Sequence, residues 1–198
     1  MTTTINASNS GSGGLIQTAD ASGVLALQTA GTTAVTIDAS QNVTLAKGLT
    51  VGATAAPAFS AYANASQNGI GNSTWTKVAI NTELFDTNNN FDSTTNYRFT
   101  PTVAGYYQVN GMIRLTVTGA TSFLSAIWKN GTDYTSGMQL DAVAATTMQV
   151  PISEVIYFNG STDYVELYVY VTAAGTKNIN YAASYVTSRF SAAMVRSA

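Results

Sequence analysis

The first 58 residues contain no aromatic side chain: all seven Phe, eleven Tyr and two Trp lie from Phe59 onward. A core cannot be built evenly along such a chain, so it reads as two parts joined end to end. Cysteine and histidine are both absent. Their absence removes a disulfide framework, thiolate nucleophiles, the common zinc sets and the usual serine triad. Charged residues make up only 9% of the chain, with eight basic and ten acidic, against roughly a quarter in ordinary soluble domains. No run of Lys or Arg exists to displace counterions from a phosphate backbone, so neither nucleic acid nor anionic lipid is an expected partner. No apolar run approaches the ~18 residues of a membrane span. The opening Met1-Thr2-Thr3-Thr4-Ile5-Asn6 lacks the basic and apolar regions of a secretory signal. The expectation is a protein made in a cytoplasm, without membrane insertion.

What is present divides near residue 56. Residues 1–56 are mostly Ala, Thr, Gly, Ser and Asn, and the first 14 have the composition of a flexible arm. Apolar pairs spaced two apart then appear at Leu25/Leu27, Val35/Ile37, Val43/Leu45 and Leu49/Val51, separated by turn formers. This spacing predicts short strands. The near repeat of Leu15-Ile16-Gln17-Thr18-Ala19 in Leu25-Ala26-Leu27-Gln28-Thr29-Ala30 supports a modular stack. Each strand offers about two aliphatic side chains, worth roughly 1.5–3 kcal/mol apiece when buried. Ordering the backbone costs about 1–2 kcal/mol per residue, so a lone copy is expected to lose. Three chains sharing an axis change that sum, and an interchain β-stalk with those eight residues as its core is the expectation; a disordered leader is the alternative.

Residues 57–198 read as strand after strand, with no helical period held for three turns. The fold class expected is all-β, a jelly-roll sandwich preceded by the arm and stalk. The clearest strand is Tyr164–Val171, where Val165, Leu167, Val169 and Val171 alternate with Tyr164, Glu166, Tyr168 and Tyr170. Its tyrosine face, with Tyr106 and Met112 from a second strand, is the expected contact between subunits; a solvent face or a second sheet of the same chain are the alternatives. Gly111 interrupts the core series Tyr107, Val109, Ile113, Leu115, which signals a bulge or a large neighbour filling the space. Further strands are expected at 59–63, 75–80, 97–100, 123–128, 148–158 and 185–195.

Four segments resemble the complement globular-head domains of the tumour necrosis factor-like jelly rolls. They are Phe91-Asp92 through Phe99, Pro101 and Gly105-Tyr106-Tyr107; Lys129-Asn130-Gly131; Asn159-Gly160-Ser161-Thr162-Asp163-Tyr164-Val165-Glu166-Leu167; and Phe190-Ser191-Ala192-Ala193-Met194-Val195. Ala192 stands where the family usually has Gly, and Phe91 replaces a Tyr. The resemblance implies a trimeric jelly roll assembled through the sheet that holds the Tyr164 strand. No acidic cluster matches the calcium sites of some members, and no metal or other cofactor is expected.

Paired carboxylates are the chemistry left for an enzyme. Asp86 with Asp92, or Glu154 with Glu166, would be the glycosidase-like pairs, but the first pair sits in an Asn-rich turn where Asp is expected as a turn former. The expectation is a non-enzymatic protein with no catalytic residues. Candidate ligand loops carry Asn88, Asn89 and Asn90, and Asp133, Tyr134 and Asp141. A small-residue stalk before a complement-head-like domain, without an export signal, resembles surface proteins of bacteriophage particles. The expected partners are itself, as a homotrimer, other virion proteins through residues 1–56, and a host surface glycan or protein. The arm favours a head decoration or cement protein over a short tail fibre or receptor-binding tip. A free complement-like carbohydrate- or protein-binding module is the rival from another class.

Overall fold

A computed structural model describes residues 22–46, 56–141, 147–184 and 186–198. Leu49 and Val51 of the expected stalk core lie outside the described residues. The chain forms two compact units, Met1–Thr50 and Val51–Ala198.

The first unit holds three strands, β1 (Leu25–Thr29), β2 (Thr32–Ile37) and β3 (Val43–Leu45). They form one antiparallel sheet in the order β1-β2-β3. Ala30 and Gly31, both at positive φ, make the two-residue turn between β1 and β2. Asp38 organises the next turn, its carboxylate accepting the N–H of Ser40 and Asn42 at 2.9 Å each and the Asn42 amide. The strands fall where the apolar pairs place them. Within one chain β2 pairs with both β1 and β3, so a single copy builds a three-stranded sheet.

The second unit holds β4 (Ala58–Tyr62), β5 (Thr74–Lys77), β6 (Thr82–Asp86), β7 (Phe91–Asp92), β8 (Arg98–Phe99), β9 (Gly105–Val117), β10 (Ala120–Lys129), β11 (Thr132–Asp141), β12 (Thr147–Phe158), β13 (Val165–Ala173), β14 (Lys177–Ile179) and β15 (Arg189–Ser197). One sheet runs β11-β10-β13-β8-β7, with β5 also on β13; the other runs β12-β9-β15-β4-β6, with β14 on β9. This is a jelly-roll β-sandwich, as expected.

Alternation builds its core. Val165, Leu167, Val169 and Val171 of β13 are fully buried, facing Tyr107, Val109, Ile113 and Leu115 of β9. At one end Phe59 stacks on Phe91 and Phe99 with ring centroids 4.5 Å apart in both pairs. Tyr107 and Phe158 close that cluster edge-on at 5.2 Å. The space opposite Gly111 is filled by a neighbour: β9 and β12 pair without a break there, and a Cβ at Gly111 would meet Leu167. Asp133, Tyr134 and Asp141, expected on a loop, lie on strand β11.

Candidate functional site: an apolar face on the β12-β9-β15 sheet

The resembling segments turn out to hold the scaffold together. Asn130 and Gly131, at φ 53° and 79°, form the tight turn between β10 and β11. The Asn130 amide donates to Asp163 at 2.9 Å, and its oxygen accepts the N–H of Tyr164. Lys129 pairs with the same Asp163 at 3.0 Å. Burial pushes the Asp163 carboxyl up, but hydrogen bonds from Asn130 and Lys129 outweigh it and hold the group below its ordinary value. Asn159 caps the loop by accepting the N–H of Ser161, Thr162 and Asp163. Gly105 is needed because a Cβ there would sit 2.5 Å from the Arg196 carbonyl. Buried Tyr107 donates its hydroxyl to the Val103 carbonyl at 2.8 Å, and burial pushes its pKa up to about 12.

The carboxylates are engaged in the same way. Asp92 accepts the N–H of Thr95, Thr94 and Asn96 together with the Thr94 hydroxyl and Asn96 amide. The Thr95 bond leads in holding its carboxyl far below the usual range. Asp86 accepts the N–H of Phe91 and Asn88. Glu154 and Glu166 lie on strands of different sheets. Glu166 is buried and paired with Lys77 at 2.5 Å. Among the described residues, no three acidic side chains gather where a metal would be held.

Of the candidate ligand residues, Asn90 is buried and holds its own loop, donating to the Asn88 carbonyl and accepting from Thr102. Asn89, at φ 53°, turns the chain. Asp133, Tyr134 and Asp141 project from β11, an edge strand, and are exposed. They do not join the Asn88–Asn90 loop in a single strand or turn.

The residues expected at a subunit contact do not share a face. Tyr168 and Tyr170 lie on β13, in one sheet, and Tyr106 and Met112 on β9, in the other. The tyrosine face of β13 is furnished from within the chain. Trp128 stacks on Tyr168 with centroids 4.1 Å apart, Trp75 packs edge-on against Tyr170 at 5.4 Å, and the Arg98 guanidinium lies 4.4 Å over the Tyr164 ring. Burial pushes the Tyr168 hydroxyl pKa up, with the Glu166 charge adding to it.

A more exposed apolar surface lies on the opposite sheet, around Tyr106. Tyr157 of β12 stands directly across from Tyr106, ring centroids 5.4 Å apart. A bulge in β15 between Met194 and Arg196 turns the extra residue, Val195, outward beside them. With Val155 these side chains are 42–59% exposed. They line a shallow depression of about 560 Å³ completed by Arg196, Ser197 and Ala198. Next to it the face turns polar: Gln108 donates to Ser153 and Ser153 to Asn110, each at 2.8 Å. Only Tyr106 of this apolar set was singled out from sequence. The signal for the others is Val155-Ile156-Tyr157-Phe158, where β12 is apolar on both faces at once.

Two packed antiparallel sheets with these crossings form a jelly roll. Among solved structures, murine APRIL is similar over 71% of this chain and 99% of its own, at 8% identity and a TM-score of 0.52. Eiger TNF from S. frugiperda is similar over 73% of this chain and 94% of its own, at 8% identity and a TM-score of 0.51. The globular domain of zebrafish complement 1qA protein aligns over 72% of this chain and 98% of its own, at 16% identity and a TM-score of 0.43. No protein-family model and no curated protein sequence matches the chain. At these identities the likeness establishes the fold alone.

Proposed function

We propose that the chain is a non-enzymatic structural protein of a bacteriophage particle, made in the host cytoplasm and displayed on the virion as a homotrimer. The observation that carries the assembly is the apolar face of Tyr106, Val155, Tyr157 and Val195. Large aromatic and aliphatic side chains left open on adjacent strands mark an interaction surface. A second copy of the same face is a partner always present at matching concentration. Its neighbours Gln108, Asn110 and Ser153 supply a polar margin that a self-contact tolerates without burying a carboxylate.

Supporting the particle reading are the scarcity of charge, the small-residue segment ahead of the jelly roll, and the use of the carboxylates for loop building. Within that reading, residues 1–56 attach the protein to other virion proteins and the jelly roll faces outward. The arm-like composition of the first 14 residues suits clamping between capsid subunits, so the role is head decoration or cement. A tail-fibre tip or a free binding module would instead use exposed β11 residues such as Tyr134 against a host glycan or protein. Peptide quantification of particles purified on a density gradient tests this. Hundreds of copies per particle are expected for a decoration protein; a few dozen would place it on the tail, and absence from DNA-filled particles would overturn the virion role.

A further inference from the structure

The first unit carries an apolar face with no counterpart among the described residues of that unit. Register puts Leu25 opposite Ile37 and Ile37 opposite Val43, and Leu27 opposite Val35 and Val35 opposite Leu45. Residues opposite one another in an antiparallel sheet share a face, so two cross-strand rungs place all six aliphatic side chains on one side. Ala26, Thr36 and Thr44 take the other side. Leu25, Leu27 and Val43 remain 39–63% exposed. A sheet with one apolar face must bury it against another layer, and none of the described residues of this unit supplies one.

We propose that this face packs against the same face of other copies of the chain, so that three self-contained sheets meet side to side around a common axis. The inference rests on the homotrimer proposed above and names the surface that continues it. Two observations select a second copy as occupant. First, β1, β2 and β3 contain no charged residue, so bringing copies together sets no like charges against each other and offers no charge pattern to a foreign partner. Second, the patch is small. Three strands about 4.8 Å apart and two rungs roughly 7 Å apart fall far short of the roughly 800 Å² per partner of a self-sufficient interface. Such a patch cannot retain a free protein, but it can join copies already held together through another part of the same chain, where the effective concentration reaches the millimolar range. The strands pair within each chain, so contact runs through side chains and leaves the sheet edges out.

The chain has no cysteine, so a single introduced thiol reports cleanly. In the full-length protein, Leu27→Cys places a thiol on the apolar face and Ala26→Cys places one on the opposite face of the same strand. Each variant is sized by light scattering, then oxidised at low concentration and run on a denaturing gel. The expected result is a trimer in both, with Leu27→Cys converting to covalent dimers plus one leftover chain per trimer, while Ala26→Cys stays uncoupled. Val43→Cys, on the same face of β3, repeats the test should Leu27→Cys not fold. A trimer in which the face thiols couple no faster than Ala26→Cys overturns this inference alone, and assigns the face to residues 1–21 or to a different protein. A monomer overturns it together with the trimer.

Discussion

Leu167 of β13 reaches across the sandwich into the space left by Gly111 of β9: a Cβ at Gly111 would lie 2.5 Å from Leu167 Cδ1 and 2.9 Å from Ile152 Cγ2. The two sheets touch through an absent side chain. Gly111→Val is therefore expected to destabilise the domain by about 1–3 kcal/mol, the usual cost of overpacking a filled core. Leu167→Ala alone opens a cavity and costs about 2–5 kcal/mol. The double variant is expected to be less destabilised than the two single effects added, since each relieves the other. Additive losses in a denaturant-melt cycle would show that the two residues are not coupled.

Tyr168 gives a contrasting expectation. Its ring stacks on Trp128 of the same chain, so Tyr168→Ala is expected to lower the melting temperature through lost packing, with roughly 0.5–1.5 kcal/mol from the stack beyond area burial. Oligomeric mass is expected to stay unchanged. Dissociation without loss of fold would return the tyrosine face of β13 to the subunit contact.

Tyr157→Glu tests the other sheet. The side chain is partly open in the single chain, so the domain is expected to melt close to wild type. The charge is stranded in the proposed contact, where it should raise the dissociation constant at least about tenfold, or roughly 1.4 kcal/mol. An unchanged mass across dilution would exclude this face.

Breaking the Lys77–Glu166 pair is expected to be costly in one direction. Lys77→Met leaves Glu166, whose side chain is 5% exposed, without its cation. A loss on the order of 2–3 kcal/mol is expected, below the roughly 3–5 kcal/mol of a fully enclosed pair because Lys77 is itself about one-third open. Lys77→Met with Glu166→Gln should recover part of it in urea melts.

Alkaline pH should report on Tyr107. Its folded pKa is raised to about 12 by burial, above the ordinary value of about 10. The neutral form is favoured in the folded state, so the stability it contributes is present below pH 10 and is lost as pH rises from 10 through 12. Tyr107→Phe is expected to be less stable at neutral pH, having lost the bond to Val103, and to show a shallower fall over that window. Identical pH slopes for the two proteins would refute the assignment.

Much of the fold was legible because its strongest strand carries a clear signal. Val165, Leu167, Val169 and Val171 alternate without interruption, and all four are buried. Strand β11 was not legible because the alternation of Tyr134, Met138 and Leu140 with polar residues is interrupted by Ser136 and Gly137 and by two register shifts against β10. The surroundings of the β13 tyrosines were harder to read for a different reason. Periodicity reveals that the second face of β13 is apolar but not which side chains stand beside it in the sheet, and Trp128 and Trp75 come from neighbouring strands far away in sequence. Likewise the pairs at Leu25, Val35 and Val43 marked strands and their shared face, while the choice between pairing within and between chains depended on turns at Ala30-Gly31 and Asp38–Asn42 tight enough to fold each strand back on its neighbour.

The proposed trimer forms through surfaces a single chain leaves open. Sedimentation equilibrium of the full-length protein across a hundredfold dilution is the most direct measurement. The expected result is one species of three times the 20.6 kDa chain mass, persisting into the low-micromolar range; a compact species at the mass of one chain, folded and soluble throughout, would contradict it.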